Sequence, residues 1–255
     1  MLSYQHAYHA GGPADLHKHA ALAWLLERLT VKPRPISYLE SHAGRGLYDL
    51  ADAASAKTGE AAAGIARVRP QGRYADALET VRAAYGPTAY PGSPLIADAL
   101  LRPVDRITLC ELHPQEHAAL RQVAPEGTAV HHRDGHEGLI ALTPPKPRRG
   151  LALIDPSYEV KDEYARTAQT ALDLIKRWPE GVVMIWYPIL PDRRHLALTE
   201  PLGALPAQLL SETWFTEPPE RGMQGSGLAV LNPPYGLEKA LASLWPAYAQ
   251  VLRPV

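Results

Sequence analysis

The chain has 255 residues and a formal net charge of -1, from 26 lysines and arginines against 27 aspartates and glutamates. With 46% hydrophobic and 21% charged residues, its composition is that of an ordinary globular protein. The length allows one large domain or two small ones. The near-zero charge excludes a histone-like protein that binds nucleic acid through bulk positive charge, so local patches would have to hold such a partner.

The single cysteine, Cys110, excludes an intramolecular disulfide framework and a multi-cysteine zinc site. The N-terminal sequence MLSYQHAYHAGG lacks the apolar core of a signal peptide. The longest apolar run, about Ala20 to Leu26, is far shorter than the roughly 20 residues that span a bilayer. We therefore expect a cytoplasmic protein with no membrane partner.

Apolar segments of strand length alternate with helical segments along most of the chain. The helix predicted over 13–29 opens with Pro13 and is apolar all round from 20 to 26, which indicates a buried helix. Strands are predicted at Ile36–Leu39, 107–113, 128–135, 150–158, 181–189, 207–215 and 225–235. Further helices are predicted at 114–124, 136–143, 162–178, 193–202 and 237–252, the last of which Pro246 should kink.

This alternation predicts an α/β fold with a doubly wound, mostly parallel sheet of seven strands. Only a loop separates the last two strands, so they can pair as a hairpin and the last should run antiparallel. The pattern is typical of Rossmann-like class I methyltransferases, which use S-adenosylmethionine (SAM). We expect 1–255 to form a single methyltransferase domain, with an N-terminal motif and helix in 1–30. Residues 51–90 interrupt the alternation as a small helical insert, which is either a lid beside the cofactor loop or an insertion far from the site.

Glycines or acidic residues follow the first three of the core strands, where a nucleoside would bind. Gly44 and Gly46, in the turn ESHAGRG, would let the backbone approach a ligand closely. Glu111 can accept both ribose hydroxyls of an adenosyl group, and Asp134 with the Gly135 amide can contact the adenine edge. The alternative is that Glu111 and Asp134 only cap the helices that follow them.

Ser93 lies in the sequence YPGSP, where the regular alternation resumes after the insert. It is a natural N-cap, and the helix N-terminus behind it suits a carboxylate such as that of methionine. A plain capping role fits the spacing equally well.

Two tetrads, Asp155-Pro-Ser-Tyr and Asn232-Pro-Pro-Tyr, resemble the (D/N)PP(Y/F) signature of amino-group methyltransferases. The second is the better match as a pattern. Topology favours the first, because Asp155 ends a central parallel strand where the ligand crevice opens. Asn232 ends the strand that is predicted to be antiparallel, which places it at the opposite edge of the sheet. We therefore expect Asp155 to be the catalytic residue.

The chemistry predicted for this tetrad is methyl transfer to an exocyclic amine on a purine ring. Asp155 and the carbonyl of Pro156 can each accept one N–H of the amine, which aims the nitrogen lone pair at the sulfonium methyl. Tyr158 can stack on the target base, which must be unpaired or flipped to reach the site. The alternative is an ordinary turn that ends a strand.

Segments along nearly the whole chain resemble the RlmJ family of 23S ribosomal RNA adenine-N6 methyltransferases. They are MLSYQHAYHAGGPADLHKH, YLESHAGRG, YPGSPLIA, ELHP, DG, LIDPSYE and GLAVLNPPY. The resemblance implies SAM as methyl donor, an unpaired adenine of 23S rRNA as substrate, and a Rossmann-like core with a helical insert. One departure is Ser157, where the family has proline, and this change relaxes a rigid turn.

The resemblance also implies the residues of the site. The family's SAM ligands fall on His19, His42, Ser93, Glu111, Asp134, Gly135 and Asp155, and its catalytic aspartate falls on Asp155. Its substrate-contacting tyrosine near the N-terminus falls on Tyr4. His6 and Lys18 match further positions of the same motif, so we expect them near the target nucleotide.

Rival interpretations stay open from the sequence. His113 and His117 could bind a metal together with Asp134 or Glu111, but no HEXXH pattern or cysteine supports this, and we expect no metal. The methyl acceptor could be a protein glutamine or a small amine, since NPPY-type motifs serve those substrates too. A third reading is a SAM-binding RNA-binding protein without catalysis, if Ser157 spoils the turn. We expect a monomer, because no long apolar stripe is left over, and no DNA partner.

Overall fold

A computed structural model of the protein describes residues 6–254, apart from the side chains of 54–56. Eight strands within this range form one mixed sheet in the order β10-β8-β9-β7-β6-β1-β4-β5, and β2 pairs with β3 in a separate ribbon. The strands are β1 (Ser37–Glu40), β2 (Leu47–Asp49), β3 (Ala89–Pro91), β4 (Arg106–Cys110), β5 (Ala129–His131), β6 (Gly150–Ile154), β7 (Val182–Ile189), β8 (Gln208–Phe215), β9 (Gly225–Leu231) and β10 (Leu252–Pro254).

The directions of the strands define the fold class. β5, β4, β1, β6 and β7 pair in parallel. β9 pairs antiparallel with both β7 and β8. The sheet is therefore the Rossmann-like sheet of class I methyltransferases that the sequence predicts, with its last predicted strand antiparallel.

The predicted number of strands was wrong by one. β10 pairs antiparallel with β8 and adds an eighth strand at the edge of the sheet. The sequence predicts a helix as far as residue 252, but that helix ends at Tyr248, two residues beyond Pro246. Proline lacks the amide hydrogen that helical bonding needs, and the three residues of β10 carry no apolar alternation that would indicate a strand.

Helices cover both faces of the sheet, since every residue of β6, β7 and β9 is buried. α1 contacts α4, α5 and α10, whereas α8 contacts α7 and α9. The helices are α1 (Pro13–Thr30), α2 (Ala53–Thr58), α3 (Glu60–Ala63), α4 (Gly72–Tyr85), α5 (Ser93–Leu100), α6 (Pro114–Val123), α7 (Gly135–Leu142), α8 (Glu163–Arg177), α9 (Leu196–Gly203) and α10 (Leu237–Tyr248). None of the described helices is long and apolar enough to cross a membrane.

Helix α1 is buried on nearly all sides, as its apolar sequence predicts. Its second half packs leucines such as Leu22 and Leu25 into the core. Its first half buries four polar side chains instead, Asp15, His17, Lys18 and His19. Buried polar and charged groups need partners, and those of α1 come from the ends of the central strands and from the insert.

Residues 51–90 contain the predicted helical segments, and the β2–β3 ribbon beside them was not predicted. α4 packs on α5 and α1, and the β2–β3 ribbon ties the start of the region to its end. The amide of Ile65 donates to the carbonyl of Gly11, so the insert packs against the segment that leads into α1. The division of the chain into a single domain with this insert stays a prediction.

Candidate active site

A cavity of about 440 Å³ lies at the carboxyl ends of the parallel strands. The predicted site residues that line it are His6, Lys18, His19, His42, Gly44, Ser93, Glu111, Asp134, Gly135, Asp155, Pro156 and Tyr158. Tyr4 lies outside the described residues. The carboxyl ends of parallel strands meet at one edge of a sheet, which is why residues so far apart in sequence come together here.

Lys18 is the central charge of the cavity wall. Its Nζ atom lies 2.7 Å from Asp155 Oδ2 and 3.1 Å from Asp15 Oδ1, and it sits 5.6 Å from the centre of the Trp186 ring. Burial disfavours the charged ammonium, but the two carboxylates outweigh this effect and raise the pKa of Lys18 above its usual range. Lys18 therefore stays charged and holds Asp155 in place. Its motif predicts a place near the target nucleotide, and nothing in the sequence indicates the contact with Asp155.

Asp15 joins the N-terminal segment to the same network. It accepts from the amide of Gly11 at 3.0 Å, and its Oδ2 lies 3.1 Å from His6 Nε2. Burial works to raise the pKa of Asp15, but His6, Lys18 and His19 together hold it well below its usual value. The carboxylate thus remains ionised although it is only 1% exposed.

Glu40, at the end of β1, is a buried acid that was not among the predicted site residues. Tyr38 donates its hydroxyl to Glu40 Oε2 at 2.8 Å, and Ser93 donates to Glu40 Oε1. Burial raises the pKa of Glu40 to about 8. The one available signal was that Glu40 is an acidic residue at the end of an apolar strand, where it opens the turn ESHAGRG.

Ser93 does not act as the predicted N-cap. Gly92 occupies the N-cap position of α5, Ser93 is the first residue of the helix, and its hydroxyl binds Glu40 instead of a backbone amide. Ser93 still lines the cavity at the N-terminus of this helix.

The two glycines of the turn after β1 have different surroundings. Gly44 lines the cavity, and its amide donates to Glu111 Oε2 at 2.8 Å. Gly46 is not among the lining residues, which corrects its predicted place in the site. Its carbonyl accepts from the amide of Gly92 at 2.7 Å, and a Cβ on Gly46 would meet Leu120. Gly46 therefore allows the turn to pack against α5 and α6.

Glu111 and Asp134 both face the cavity and bind backbone amides. Glu111 accepts from the amides of Gly44 and His113, at 2.8 and 2.7 Å. Asp134 caps α7 by accepting from the amide of Glu137 at 3.0 Å, and it pairs with Arg166 at 2.9 Å. The capping interpretation is thus correct for Asp134, and it is compatible with a place in the cavity wall.

His19 and His42 are held as neutral side chains in the wall. Burial lowers the pKa of each to about 3. His19 Nδ1 lies 3.0 Å from the hydroxyl of Tyr90, while its Nε2 is buried without a hydrogen-bond partner. His42 Nδ1 lies 2.7 Å from Ser41 Oγ.

Tyr158 is buried in the cavity wall, where other residues contact both its hydroxyl and its ring. Its hydroxyl donates to the carbonyl of Trp186 at 2.7 Å, and its ring centre lies 4.4 Å from that of Tyr164. The residue adopts a positive φ of 55° directly after the Pro-Ser turn. The ring still lines the cavity, and stacking on a base stays a prediction.

Asn232 lies at the opposite edge of the sheet, as the topology predicts. Its Nδ2 donates to the carbonyls of Pro179 and Gly181, at 2.9 and 2.8 Å, just before β7 begins. The neighbouring Tyr235 is 92% exposed. The second tetrad is therefore a structural turn, remote from the cavity that Asp155 lines.

The predicted alternative metal set does not assemble. His113 caps α6 by accepting from the amide of Glu116, whereas His117 stacks on His132 with ring centres 4.7 Å apart. Among the described residues, neither histidine belongs to a cluster with the spacing of metal ligands.

The insert reaches the cavity, which favours the first of its two interpretations. Glu60 is among the lining residues, and its Oε1 lies 2.7 Å from His9 Nδ1. Tyr74 shares a hydrogen bond of 2.8 Å with Tyr90, which contacts His19. An insertion far from the site is therefore excluded, while a lid role stays a prediction.

Most of the chain matches a family of ribosomal RNA methyltransferases. The family model described as "Ribosomal RNA large subunit methyltransferase D, RlmJ" matches residues 33–255. The chain belongs to this family. Proteins named "Ribosomal RNA large subunit methyltransferase J" are similar to it in Haemophilus influenzae, 37% identical over 100% of this chain and 95% of the relative, and in Escherichia coli, 36% identical over 96% and 92%.

A crystallised protein from Legionella pneumophila has the same fold, with 32% identity, a TM-score of 0.83 and 97% of each chain covered. The RlmJ family model begins after α1, but the Haemophilus relative aligns with the whole chain. The similarity to RlmJ proteins therefore includes the N-terminal segment that carries His6, Asp15, Lys18 and His19.

Proposed function

We propose that this member of the RlmJ family transfers the methyl group of SAM to the exocyclic N6 amine of an unpaired adenine in 23S rRNA. The observation that carries the proposal is the position of Asp155 at the carboxyl end of β6, in the cavity wall, with one carboxylate oxygen bound by Lys18. The names of the two curated relatives support a substrate in large-subunit rRNA.

The residues of the wall fit SAM. Glu111 offers a carboxylate for a ribose diol, and Asp134 and Gly135 line the same cavity and are available for the adenine edge. His19 Nε2 is a buried polar atom without a hydrogen-bond partner, and it would gain one from a polar ligand. Gly46 would support the turn through its packing against α5 and α6. The residues that we propose to hold SAM are His19, His42, Gly44, Ser93, Glu111, Asp134, Gly135 and Asp155. When bound, SAM supplies the methyl group.

The chain's own residues position and deprotonate the amine. Lys18 occupies Asp155 Oδ2, so Oδ1 is left to accept one N–H of the target amine, and the carbonyl of Pro156 can accept the other. Two acceptors on one amine turn its lone pair out of the ring plane, and most of the acceleration is positioning. The proton that the nitrogen loses passes to Asp155 Oδ1. We propose Tyr4 and His6 as further contacts of the nucleotide and Tyr158 as its stacking partner.

The test is transfer of labelled methyl from SAM to transcribed 23S rRNA fragments, with free protein and buffer as parallel acceptors. We expect label on RNA, recovered as N6-methyladenine after nuclease digestion. Label on protein or on a small amine would show the rival methyltransferase function. SAM binding with no transfer to any acceptor would show a non-catalytic RNA-binding protein. The monomeric state, the cytoplasmic location and the absence of a DNA substrate stay predictions.

A further inference from the structure

Three side chains from separate elements converge beside the cavity wall. His42 follows β1, His136 is the second residue of α7, and Glu163 opens α8. One potential ligand atom from each lies within 4.8 Å of the others, and His136 Nε2 is 4.0 Å from Glu163 Oε1. The two imidazole rings meet edge to face with centres 5.2 Å apart.

The hydrogen bonds of Thr170 favour one tautomer of His136. The Thr170 hydroxyl donates its only proton to the carbonyl of Arg166 at 2.9 Å. With the hydroxyl proton on that carbonyl, His136 Nδ1, 3.0 Å from the same hydroxyl, is the donor of their hydrogen bond and carries a proton. Nε2 is then an unprotonated lone pair, and it is buried without a hydrogen-bond partner in a residue that is 3% exposed. An unsatisfied buried acceptor costs free energy, which a ligand would recover.

The cluster combines two neutral imidazoles with one carboxyl group. Burial lowers the pKa of His136 to about 4 and that of His42 to about 3, so both imidazoles are neutral near pH 7, the form that binds metals. Arg166 is the nearby cation, and it is paired with Asp134 at 2.9 Å.

Glu163 supplies the acid of the cluster. Burial raises the pKa of its carboxyl group above the usual value, while the backbone amide of Tyr158 and the charge of Arg166 act in the opposite direction. A bound divalent cation would stabilise the carboxylate form.

We propose that His42, His136 and Glu163 form a binding site for a zinc-type divalent metal ion. Two imidazole nitrogens and one carboxylate are a donor set that zinc takes, with a fourth position left open. Ligand atoms around a tetrahedral zinc lie about 3.4 Å apart, so the three side chains need to close by roughly 1 Å. Thr170 holds the far nitrogen of His136 as metal-bound histidines require.

The site shares a wall with the cavity proposed to bind SAM, because His42 and Glu163 line that cavity. An ion between them would use the His42 imidazole and face the adenosyl position. Metal and SAM should therefore exclude one another. This consequence rests on the proposed function, whereas metal binding itself does not.

The test is a titration of the untagged full chain with Co²⁺, whose visible absorption bands report four-coordinate binding. We expect one equivalent to produce these bands, His136→Gln to abolish them, and Thr170→Val to weaken binding by about 10- to 100-fold. His132→Gln is the matched control, since His132 belongs to the stacked surface pair with His117. It should bind as the wild type does. Circular dichroism checks that each variant is folded.

Three results would overturn the proposal: no bands in the wild type, bands retained in folded His136→Gln, or bands lost in His132→Gln. Added SAM should displace the cobalt and remove the bands. If the bands persisted while SAM was bound, the exclusion of one ligand by the other would be wrong. Methyl transfer to rRNA without added metal is measured separately, so failure of the metal site leaves the proposed function testable.

Discussion

Lys18 Nζ lies 2.7 Å from Asp155 Oδ2 and so ties helix α1 to the carboxyl end of β6. The contact joins the first half of α1 to the central strand that the candidate catalytic residue follows. Both side chains are nearly buried, at 5% and 12% exposure. Asp15 completes the arrangement from the other side of the ammonium, so a single cation serves two carboxylates.

Lys18→Met should therefore abolish methyl transfer and destabilise the fold. Two buried carboxylates would lose their shared cation, which costs about 3–5 kcal/mol when a buried ion pair is broken on one side. Urea denaturation measures the loss, and the double variant Lys18→Met/Asp155→Asn should regain part of it without regaining activity. Equal stability of the single and double variants would show that Asp155 does not depend on Lys18.

The choice between the two tetrads is tested by Asp155→Ala against Asn232→Ala. We expect the first to lower the transfer rate by at least about 10²-fold, since it removes the acceptor of the amine proton, while SAM still binds at least weakly. The second should keep most of the activity. It should lose about 1–3 kcal/mol of stability, because the carbonyls of Pro179 and Gly181 lose their donor. The reverse ranking of activities would mean that Asn232 is the catalytic residue.

The central sheet and the position of Asp155 were predictable because buried parallel strands leave continuous apolar runs. Leu151–Ile154 is such a run, and its end had to lie at the ligand-binding edge. Three of the short strands were not predictable. β2, β3 and β10 have three residues each, too few for a period to be recognised, and they lie outside the regular alternation of strands and helices. β5 is equally short, but its place in that alternation made it predictable.

The side-chain network of the site was less predictable than its outline. Lys18 belongs to a motif whose family role suggested contact with the nucleotide, but only the packing of α1 brings its ammonium onto Asp155. Glu40 stands at the end of an apolar strand, but the sequence does not show that Tyr38 and Ser93 bind its carboxyl group. Hydrophobic periodicity reports which residues are buried, and it says nothing about which polar groups meet.

Glu40 should make stability depend on pH. Its carboxyl has a pKa of about 8 in the folded chain against an ordinary 4.5, so the folded state keeps a proton that the unfolded state releases between these values. The stabilisation that Glu40 contributes is complete below about pH 4.5 and is lost as the pH rises through about 8. Glu40→Gln cannot ionise, so it removes this pH-dependent contribution to stability.

Urea denaturation of both proteins from pH 5 to pH 9 checks the prediction. The free energy of unfolding of Glu40→Gln, relative to the wild type, should rise by a few kcal/mol across that range and level off above about pH 8. Other titrating groups act on both proteins and cancel in the difference. A difference that does not change with pH would mean that Glu40 is already ionised in the folded chain.

Gly64→Ala tests whether the insert supports the cavity. A Cβ at Gly64 would overlap the carbonyl of Gly11, whose amide binds Asp15, so the substitution must push the insert away from the segment that leads into α1. We expect a loss of about 1–3 kcal/mol in stability and a KM for SAM that rises more than kcat falls. Gly203→Ala is the matched control, because a Cβ there makes only an ordinary contact of 3.9 Å with Leu210. If Gly64→Ala lost stability but kept the wild-type KM for SAM, the insert would pack beside the cavity without shaping it.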